Sequence, residues 1–443
     1  MPFQGGDRLP AERASKLGHL DVLKSPLVKQ LCSSFEDPSG PVVGVKASWA
    51  PIGAATEPVP LVFGVDGSMQ VIESDGRPKK ALGFVKTALV TLDRPSLETL
   101  DQQEPHPFAV RDILEKSQLY HATVFPLRHV YAPGLSTYHS IRQVICDSLR
   151  DPSLDGEVFE TLKWLSYEKW SGEQKSLPLF DCPHCRRTIA TLPYDADDGR
   201  CPGCQGTIFL PDMLGFHQII PEESAPNSVA SDYMEVHVTL LLFTGVRYFW
   251  ENKREMLPSC LFVKDGPLSI RAQYSKLVNP IRRFLNHARD NKIEVCLVGQ
   301  EKSGAFWDHL QAIGDDAPDC SFFVPDDAYI REEVQHRPNH GGIYGKDTNY
   351  GAKVFLKLDS RHKFIISIPN GDAANPQSRN LIGAERIFAT IPHILSAQYE
   401  DALLPVQMAH AVASLSTYPS ARVLYMFAEA VKSGAAASTS AAG

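Results

Sequence analysis

Two aspartates share a local pattern that could place their carboxylates side by side. Asp66 follows the apolar run LVFGV and precedes Gly67, and Asp265 follows LFVK and precedes Gly266. An acid that ends a buried strand beside a glycine is exposed at the edge of the sheet, and a divalent cation relieves the repulsion between two such acids. The pattern therefore indicates a metal site suited to phosphodiester hydrolysis. Two ordinary Asp-Gly hairpin turns would leave the same dipeptides in the sequence.

Two further polar residues could complete such a site. Glu235 lies near the start of an apolar helical run and could supply a third carboxylate, but a solvated glutamate that offsets the helix dipole fits the same position. His410 closes the segment LPVQMAH. A lone helical histidine is more often a packed or surface residue than a metal ligand. Both alternatives stay open on the residues alone.

Four cysteines form two C-x2-C pairs, Cys182 with Cys185 and Cys201 with Cys204, and fifteen residues separate the pairs. This spacing is typical of a zinc ribbon, in which two tight knuckles direct four thiolates at one tetrahedral ion. Four thiolates leave no open coordination position, so the Zn²⁺ site is predicted to be structural, with His184 as a bystander. Zinc would stabilise the folded segment by roughly 10–16 kcal/mol. Four unrelated thiols or a redox pair are the alternative.

Hydrophobic periodicity indicates strands that alternate with helices, which favours an α/β sheet. Residues 61–65 are apolar without interruption, so this strand is predicted to lie at the centre of the sheet with both faces covered. Residues 232–252 form a long apolar helical pattern. The strand patterns occupy residues 61–72, 84–92, 261–263, 293–298, 354–358 and 363–368, and the other helical patterns occupy residues 12–36, 274–291 and 380–415.

The composition is that of a globular protein with a large core. Hydrophobic residues make up 43% and charged residues 22% of the 443 residues. The formal charge of −8, from 44 basic and 52 acidic residues, argues against a protein that coats nucleic acid non-specifically, but not against a nuclease with a basic groove. Because no apolar run reaches the roughly 18 residues of a membrane helix and the N-terminus lacks a signal-peptide core, we expect a cytoplasmic protein without membrane contact.

Taken in order, the motifs resemble those of NurA nucleases. VFGVDGS around Asp66 resembles the first catalytic motif of that family, and LFVKDGPL around Asp265 resembles its second acidic strand. YME, which ends at Glu235, opens a helix like the one that bears the family's glutamate, and PVQMAH resembles the family's terminal stretch, which closes here at His410. EKSG and YGKDTNYG, the latter before AKVFLK, add further similarity. The resemblance spans roughly residues 12–420, apart from the cysteine-rich insert.

This resemblance implies an RNase H-like α/β fold with a mixed sheet, flanking helices and a catalytic manganese or magnesium site. It implies that Asp66, Asp265 and His410 bind the metal and that Glu235 is a ligand or orients water. It also implies a homodimer that docks on a HerA-like hexameric ATPase and acts in DNA end resection, repair or defence against foreign DNA. One position departs from the family, which often has a tyrosine where this chain has Ala402.

We divide the chain into four segments on these grounds. Residues 1–175 are the N-terminal part of the nuclease domain, 176–216 are the zinc ribbon insert, 217–432 are the C-terminal part of the nuclease domain, and 433–443 are a disordered tail. The chain has no G-x-x-x-x-G-K-[ST] phosphate loop, so ATP hydrolysis would belong to a partner.

The leading interpretation is a manganese- or magnesium-dependent deoxyribonuclease. Lys302, Lys346 and Lys353 are candidates for holding the DNA backbone, and solvated surface lysines are the alternative. A second interpretation is a catalytically inactive adaptor that binds DNA or the ATPase through its zinc ribbon. A third is a ribbon-bearing RNA-processing nuclease, which shares the same chemistry.

Overall fold

The computed structural model of the chain describes residues 22–35, 47–53, 56–74, 77–94, 118–218, 220, 226, 228–337, 342–371, 380–415 and 420–432. Of the helix predicted at residues 12–36, helix α1 (Pro26–Ser34) is described. The Ser25 side chain caps α1 by accepting a hydrogen bond from the Val28 amide. Residues 12–21 and the predicted tail at 433–443 lie outside the described residues.

Most strands of the described chain belong to one large sheet, and four short strands belong to the cysteine-rich insert. In chain order the strands are β1 (Ala50–Pro51), β2 (Leu61–Glu73), β3 (Ala81–Asp93), β4 (Gln118–Arg128), β5 (Phe180–Asp181), β6 (Ile189–Ala190), β7 (Asp198–Arg200), β8 (Thr207–Phe209), β9 (Cys260–Asp265), β10 (Cys296–Glu301), β11 (Ser321–Phe323), β12 (Gly351–Lys357) and β13 (Lys363–Pro369).

The large sheet has nine strands in the order β1-β11-β12-β13-β10-β9-β2-β3-β4. β2, β3 and β4 form an antiparallel meander, β9 pairs in parallel with β2, and β10 pairs in parallel with β9. The remaining four strands continue from β10 in antiparallel pairs. The predicted RNase H-like α/β fold, with a mixed sheet and flanking helices, is therefore confirmed, and residues 61–65 lie in its interior.

Helices of the unit formed by residues 47–443 cover both faces of this sheet. After α1 they are α2 (Thr137–Leu149), α3 (Glu157–Ser166), α4 (Ser228–Asn252), α5 (Val278–Asp290), α6 (Ala305–Ile313), α7 (Asp327–Tyr329), α8 (Ala384–Thr390), α9 (Leu404–Ala413) and α10 (Ser420–Lys432). Short 3-10 helices span Pro152–Leu154, Lys169–Ser171, Leu210–Leu214, Phe216–Gln218, Arg254–Ser259, Ala272–Leu277 and Ile391–His393, and a π-helix spans Ile330–Val334. No helix of the described chain is both long enough and apolar enough to cross a bilayer.

Two of the predicted helical patterns contain more than one helical element. The pattern at 380–415 becomes α8, a 3-10 turn and α9, because Pro392 and Pro405 each stand in the first turn of a new element. A proline is accepted there since the amides of a first turn have no partner inside the helix. The pattern at 274–291 becomes a 3-10 turn followed by α5 from Val278.

Side chains of β2 alternate between two cores. Phe63 and Val65 pack with α4 in one apolar cluster, whereas Val62 packs with α9 in the cluster on the other face. This alternation follows from the period of two in an extended strand. The two faces of β2 can therefore present different chemistry. Asp66, four residues after Val62, lies on the same face as Val62, which is the face that α9 covers.

The cysteine-rich insert packs into the core on the α4 face. Its strands form two hairpins, β5 with β6 and β7 with β8. Apolar side chains from the insert belong to the same contiguous cluster as those of α2, α3 and α4, namely Ala190, Leu192, Ile208 and Leu210. The insert is thus part of the folded body of residues 47–443 and shares its core.

Two buried histidines lie between α4 and the β3–β4 pair. The rings of His121 and His237 stack with centroids 4.3 Å apart. His121 Nδ1 lies 2.6 Å from Asp151, and His237 Nδ1 lies 2.9 Å from the Thr87 hydroxyl. His237 Nε2 has no hydrogen-bond partner among the described residues. Burial, and to a lesser degree the proximity of His121, hold the pKa of His237 well below its ordinary value.

These histidines predict a pH-dependent stability. Because the unfolded chain takes up a proton on His237 near pH 6.5 and the folded chain does not, the stabilisation is present above pH 6.5 and is lost as the pH falls. We expect the free energy of unfolding to drop by up to about 1.4 kcal/mol per pH unit for this group. Urea titrations between pH 7.5 and 5 of the parent and of His237→Gln should show a shallower slope in the variant. Equal slopes would contradict the prediction.

Candidate metal centre

A close approach of α9 to β2 places His410 beside Asp66. A Cβ atom on Gly64 would lie 2.2 Å from the carbonyl oxygen of Pro405 at the start of α9, so only glycine fits at this position. On the opposite face, a Cβ atom on Gly67 would lie 2.6 Å from the Met234 side chain in α4. The two glycines that flank Val65 and Asp66 therefore allow one helix on each face of the strand.

Asp66 lies inside β2 at the point where its parallel neighbour β9 has ended. β2 pairs with β9 as far as Val65, and it continues beside β3 to Glu73. Asp66 and Gly67 therefore do not form a hairpin turn. The carboxylate accepts a hydrogen bond of 2.6 Å from the Gly67 amide and lies 2.7 Å from His410 Nδ1.

The Asp66 carboxylate is buried, with 5% of the residue exposed. Burial raises its pKa, and the nearby charge of Asp265 raises it further. The hydrogen bonds from Gly67 and His410 oppose this shift only in part. The carboxylate is thus held in a position where its negative charge is costly unless a cation lies close to it.

Asp265 is the last residue of β9 and lies on the same face as Asp66. Gly266 follows it with φ at +85°, a conformation that favours glycine, and donates from its amide to the Gln300 carbonyl at 2.7 Å. This turn leaves the Asp265 side chain 28% exposed at the rim of the site, where the Lys302 ammonium lies 3.1 Å from it.

The structure brings together three of the four predicted catalytic residues. One possible ligand atom from each of Asp66, Asp265 and His410 lies within 4.8 Å of the others. Two carboxylates and an imidazole are a donor set that suits manganese, with magnesium as a second choice. The residues present therefore fit the divalent cation that the family resemblance implies.

Glu235 lies apart from that group, on α4 and thus against the opposite face of the sheet. Its carboxylate pairs with Arg271 at 2.9 Å, and the same guanidinium pairs with Asp232. Tyr274 donates a hydrogen bond of 3.0 Å to Asp232. Arg271 is thus a residue of this region that sequence reasoning missed.

Lys264 is a second residue that sequence reasoning missed. It is 3% exposed, and its ammonium donates to the carbonyl oxygens of Asp265 at 3.4 Å and Pro267 at 3.0 Å. Burial lowers its pKa, while the charges of four carboxylates oppose this, namely Glu235, Asp265, Asp66 and Glu301. Side chains of an extended strand alternate between its two faces, so Lys264 must lie on the face opposite Asp265. The sequence alone therefore predicts which face it occupies.

The three lysines predicted to hold DNA occupy different environments. Lys302 lies at the rim, 32% exposed, and pairs with Asp265. Lys346 is exposed on the loop before β12. Lys353 is 5% exposed, and its ammonium pairs with Glu301 and lies 4.9 Å from the centre of the Phe306 ring. Lys353 therefore serves an internal ion pair, whereas Lys302 and Lys346 are accessible.

The four cysteines of the insert converge on one point. Their sulfur atoms all lie within 4.8 Å of one another, with Cys182 and Cys204 at 3.7 Å and Cys185 and Cys201 at 4.0 Å. This cluster can hold one tetrahedral zinc ion. His184 points elsewhere, with its Nε2 atom 2.7 Å from the Thr207 carbonyl.

The two knuckles have matching backbones. The amide of Arg186 donates to the Cys182 carbonyl at 3.0 Å, and the amide of Gln205 donates to the Cys201 carbonyl at 2.9 Å. Both donor residues have φ between 51° and 59°. Gly203, in the second knuckle, must be glycine because a Cβ atom there would lie 2.2 Å from the hydroxyl of Thr188, which follows the first knuckle.

The contact between Gly64 and Pro405 predicts that Gly64→Ala disrupts the metal centre. The new methyl group must push α9 away from β2, which should lower the free energy of unfolding by about 1–3 kcal/mol and weaken Mn²⁺ binding, since His410 moves with the helix. Gly53→Ala is the matched control, because its Cβ atom would have no neighbour within 4 Å. Chemical denaturation and Mn²⁺ titration test this. Parent-like Mn²⁺ affinity in Gly64→Ala would contradict it.

The position of Lys264 predicts a coupling between its charge and the metal. In EDTA, Lys264→Met should lower the melting temperature, because the carboxylates lose a counter-charge. Saturating Mn²⁺ should restore part of that loss, since the cation offsets the same charges. Lys357→Met is the matched control, because Lys357 is 5% exposed and donates to the carbonyls of Asp315 and Ala317 away from the site. Calorimetric scans that show the same deficit with and without Mn²⁺ would overturn this coupling.

Two solved structures are similar to this chain over most of its length. The chain is similar to a solved structure described as a crystal structure of NurA, with a TM-score of 0.30 and 11% identity over 94% of this chain and 98% of that one. It is also similar to a crystal structure of NurA with manganese, with a TM-score of 0.27 and 10% identity over 94% of this chain and 95% of that one. No family model and no curated protein matches the sequence. The chemistry open to this chain is therefore indicated by the side chains of the centre itself.

Proposed function

We propose that this protein is a metal-dependent deoxyribonuclease that hydrolyses phosphodiester bonds. The observation that carries the proposal is the convergence of Asp66, Asp265 and His410 within 4.8 Å, where β2 continues beyond the end of β9. A buried carboxylate with a raised pKa beside a second carboxylate is an arrangement that a divalent cation stabilises. Phosphodiester hydrolysis is a principal use of such carboxylate sites.

The protein's own residues divide the work in this proposal. Asp66 and Asp265 hold the cation, and His410 completes the set from α9. When bound, a divalent cation there lowers the pKa of coordinated water and offsets charge on the phosphate oxygens. His410 is 60% exposed, so the centre is open to a substrate on the side of the sheet that α9 covers.

Lys302 is the residue best placed to receive the DNA backbone. Its ammonium lies at the rim, 3.1 Å from Asp265. When the Asp265 carboxylate binds a cation, its attraction for the Lys302 ammonium becomes weaker. The ammonium is then available to a phosphate oxygen. Lys346 can add a second contact from its exposed loop.

Glu235 enters the proposal with the role that the family resemblance implies, as a metal ligand or a residue that orients water. Its carboxylate is now bound by Arg271, whose side chain is 52% exposed. A role in orienting water therefore requires Arg271 to give up that contact, for which an incoming phosphate is a suitable exchange partner.

The resemblance to NurA proteins supports further proposals about context. We propose that residues 1–175 and 217–432 together form the nuclease domain and that 176–216 form the zinc ribbon, with Zn²⁺ on the four cysteines. We also propose a homodimer and a partnership with a HerA-like hexameric ATPase, in repair or in defence against foreign DNA. The ATPase would supply the DNA translocation for which this chain has no phosphate loop.

Degradation of end-labelled linear DNA tests the proposal. We expect loss of label with Mn²⁺ or Mg²⁺, none in EDTA, and at least a hundredfold slower loss in Asp66→Asn, since a shape-conserving change removes the charge that binds the cation. Asp359→Asn is the matched control, because Asp359 also lies 2.9 Å from a histidine ring nitrogen, that of His362, but outside the centre. Its rate should equal that of the parent.

Two results would reject the nuclease. One is a folded Asp66→Asn protein that degrades DNA as fast as the parent. The other is absence of cleavage by the parent with every metal and with the ATPase present, which favours the adaptor interpretation. Faster cleavage of RNA than of DNA in direct competition would replace the deoxyribonuclease by the RNA-processing alternative.

A further inference from the structure

The zinc ribbon is anchored to α2 at two places, at its first knuckle and in the 3-10 helix Leu210–Leu214. The Tyr138 hydroxyl donates to the Pro183 carbonyl inside the knuckle at 2.7 Å. Arg142, one turn further along α2, donates to both carboxylate oxygens of Asp212 at 2.8 Å and 2.7 Å, and both side chains are buried. A buried, bidentate pair of this kind holds one geometry. The surface formed where the knuckle meets α2 is therefore pre-organised.

A cavity of about 210 Å³ opens on this junction. Its lining contains no carboxylate and consists of Ser136, Tyr138, His139, Pro183, His184 and Arg186. The rings of His139 and His184 stack with centroids 5.1 Å apart, and the guanidinium of Arg186 lies 5.3 Å from the centre of the Tyr138 ring. Donor groups from two separate segments thus face one polar space.

The charge at this cavity is opposite to that of the protein as a whole. Arg186 lines the cavity, and Arg187 follows it in the chain. Both are exposed, and neither forms an ion pair with a carboxylate of the described chain. α2 has thirteen residues and carries no acidic side chain in its first turn, so the positive end of its dipole is not neutralised. In a chain with a formal charge of −8, this is a local concentration of positive potential.

We propose that the junction cavity binds a backbone phosphate of a DNA strand and so makes the zinc ribbon a second DNA contact, separate from the metal centre. An exposed guanidinium, which has five N–H donors, and a helix N-terminus are groups that proteins use for phosphate oxygens. This inference rests on the proposed function only in taking DNA as the strand. It adds a contact that holds the substrate and takes no part in hydrolysis.

One other role would explain the same arginines. Four thiolates around Zn²⁺ leave a net negative charge, and Arg186 with Arg187 could serve only to offset it. The two roles predict different losses. An arginine that offsets thiolates is needed for zinc retention, whereas an arginine that binds phosphate is needed for DNA affinity and for its dependence on salt.

The experiment compares charge reversal at two places on the same ribbon. The Asp66→Asn chain, loaded with zinc and without Mn²⁺, prevents cleavage during the measurement. In this background we compare Arg186→Glu/Arg187→Glu with the control Arg200→Glu. Arg200 is exposed on β7 and donates only to the Gln205 carbonyl within its own hairpin. Binding of a fluorescein-labelled 30-mer duplex is followed by anisotropy at several NaCl concentrations, and zinc content is measured for each protein.

We expect the double variant to bind DNA about tenfold more weakly and its plot of log affinity against log salt to be less steep by about one. The Arg200→Glu protein should differ from its background by less than about twofold. Equal effects of the two changes, or an unchanged salt slope in the double variant, would overturn the proposal. Loss of zinc from the double variant with DNA affinity retained would also overturn it.

If the double variant loses both its zinc and its affinity for DNA, the measurement is repeated with Arg186→Gln/Arg187→Gln. These changes remove the positive charges without adding negative ones. A shallower slope in that zinc-loaded protein supports the inference, and an unchanged slope overturns it.

The nuclease and the phosphate contact can fail separately. Cleavage by the parent with unchanged binding in the variants rejects the contact alone. Failure of the parent to cleave, with slopes that change as expected, rejects the nuclease alone.

Discussion

The contact between α9 and β2 at Gly64 is the constraint on which the candidate centre depends. Helix and strand meet backbone to backbone there, because the Pro405 carbonyl occupies the space that any side chain at position 64 would need. This close approach carries His410 to within 2.7 Å of Asp66, although 344 residues separate them in the chain. A wider spacing between helix and sheet would leave Asp66 buried with no imidazole beside it. The proximity of Asp66 and His410 is therefore a consequence of backbone packing, and the apolar neighbours on α9 maintain it.

Charge balance is the second condition on this region. Four carboxylates gather around it, and four basic side chains face them, namely Lys264, Lys302, Lys353 and Arg271. Their accessibility differs in a useful way. Lys264 and Lys353 are buried and hold fixed positions, whereas Lys302 and Arg271 lie where solvent and substrate can reach them. The buried pair therefore has fixed partners, whereas the accessible pair can exchange partners with groups in solution.

Local patterns predicted the parts of this structure that depend on nearest neighbours. The uninterrupted run before Asp66 indicated an interior strand, and the cysteine spacing indicated one four-sulfur cluster, because a strand's alternation and a knuckle's turn are properties of a few consecutive residues. The resemblance, and not the periodicity, identified His410. The ion pair of Lys353 with Glu301 and the separation of Glu235 from the two aspartates could not be predicted. They depend on which strand and which face each residue reaches. The strand order β12-β13-β10-β9 decides this, and it joins segments that are far apart in the chain.

For the ribbon, too, the cysteine spacing predicts the local structure but not where the ribbon packs on the rest of the protein. Its four cysteines alone do not distinguish a DNA contact, a protein contact and a brace, since each of these uses needs only a folded knuckle. The placement adds two facts. The apolar side of the ribbon is continuous with the core on the α4 face. The ribbon is also joined to α2, at the first knuckle by the hydrogen bond from Tyr138 to Pro183 and in its last helical turn by the buried pair of Arg142 and Asp212. A knuckle held this firmly cannot adapt its shape to a partner. Whatever binds the arginines beside it must suit a fixed, positively charged concavity, and a phosphate group, which is small and rich in acceptors, meets that demand better than a protein surface does.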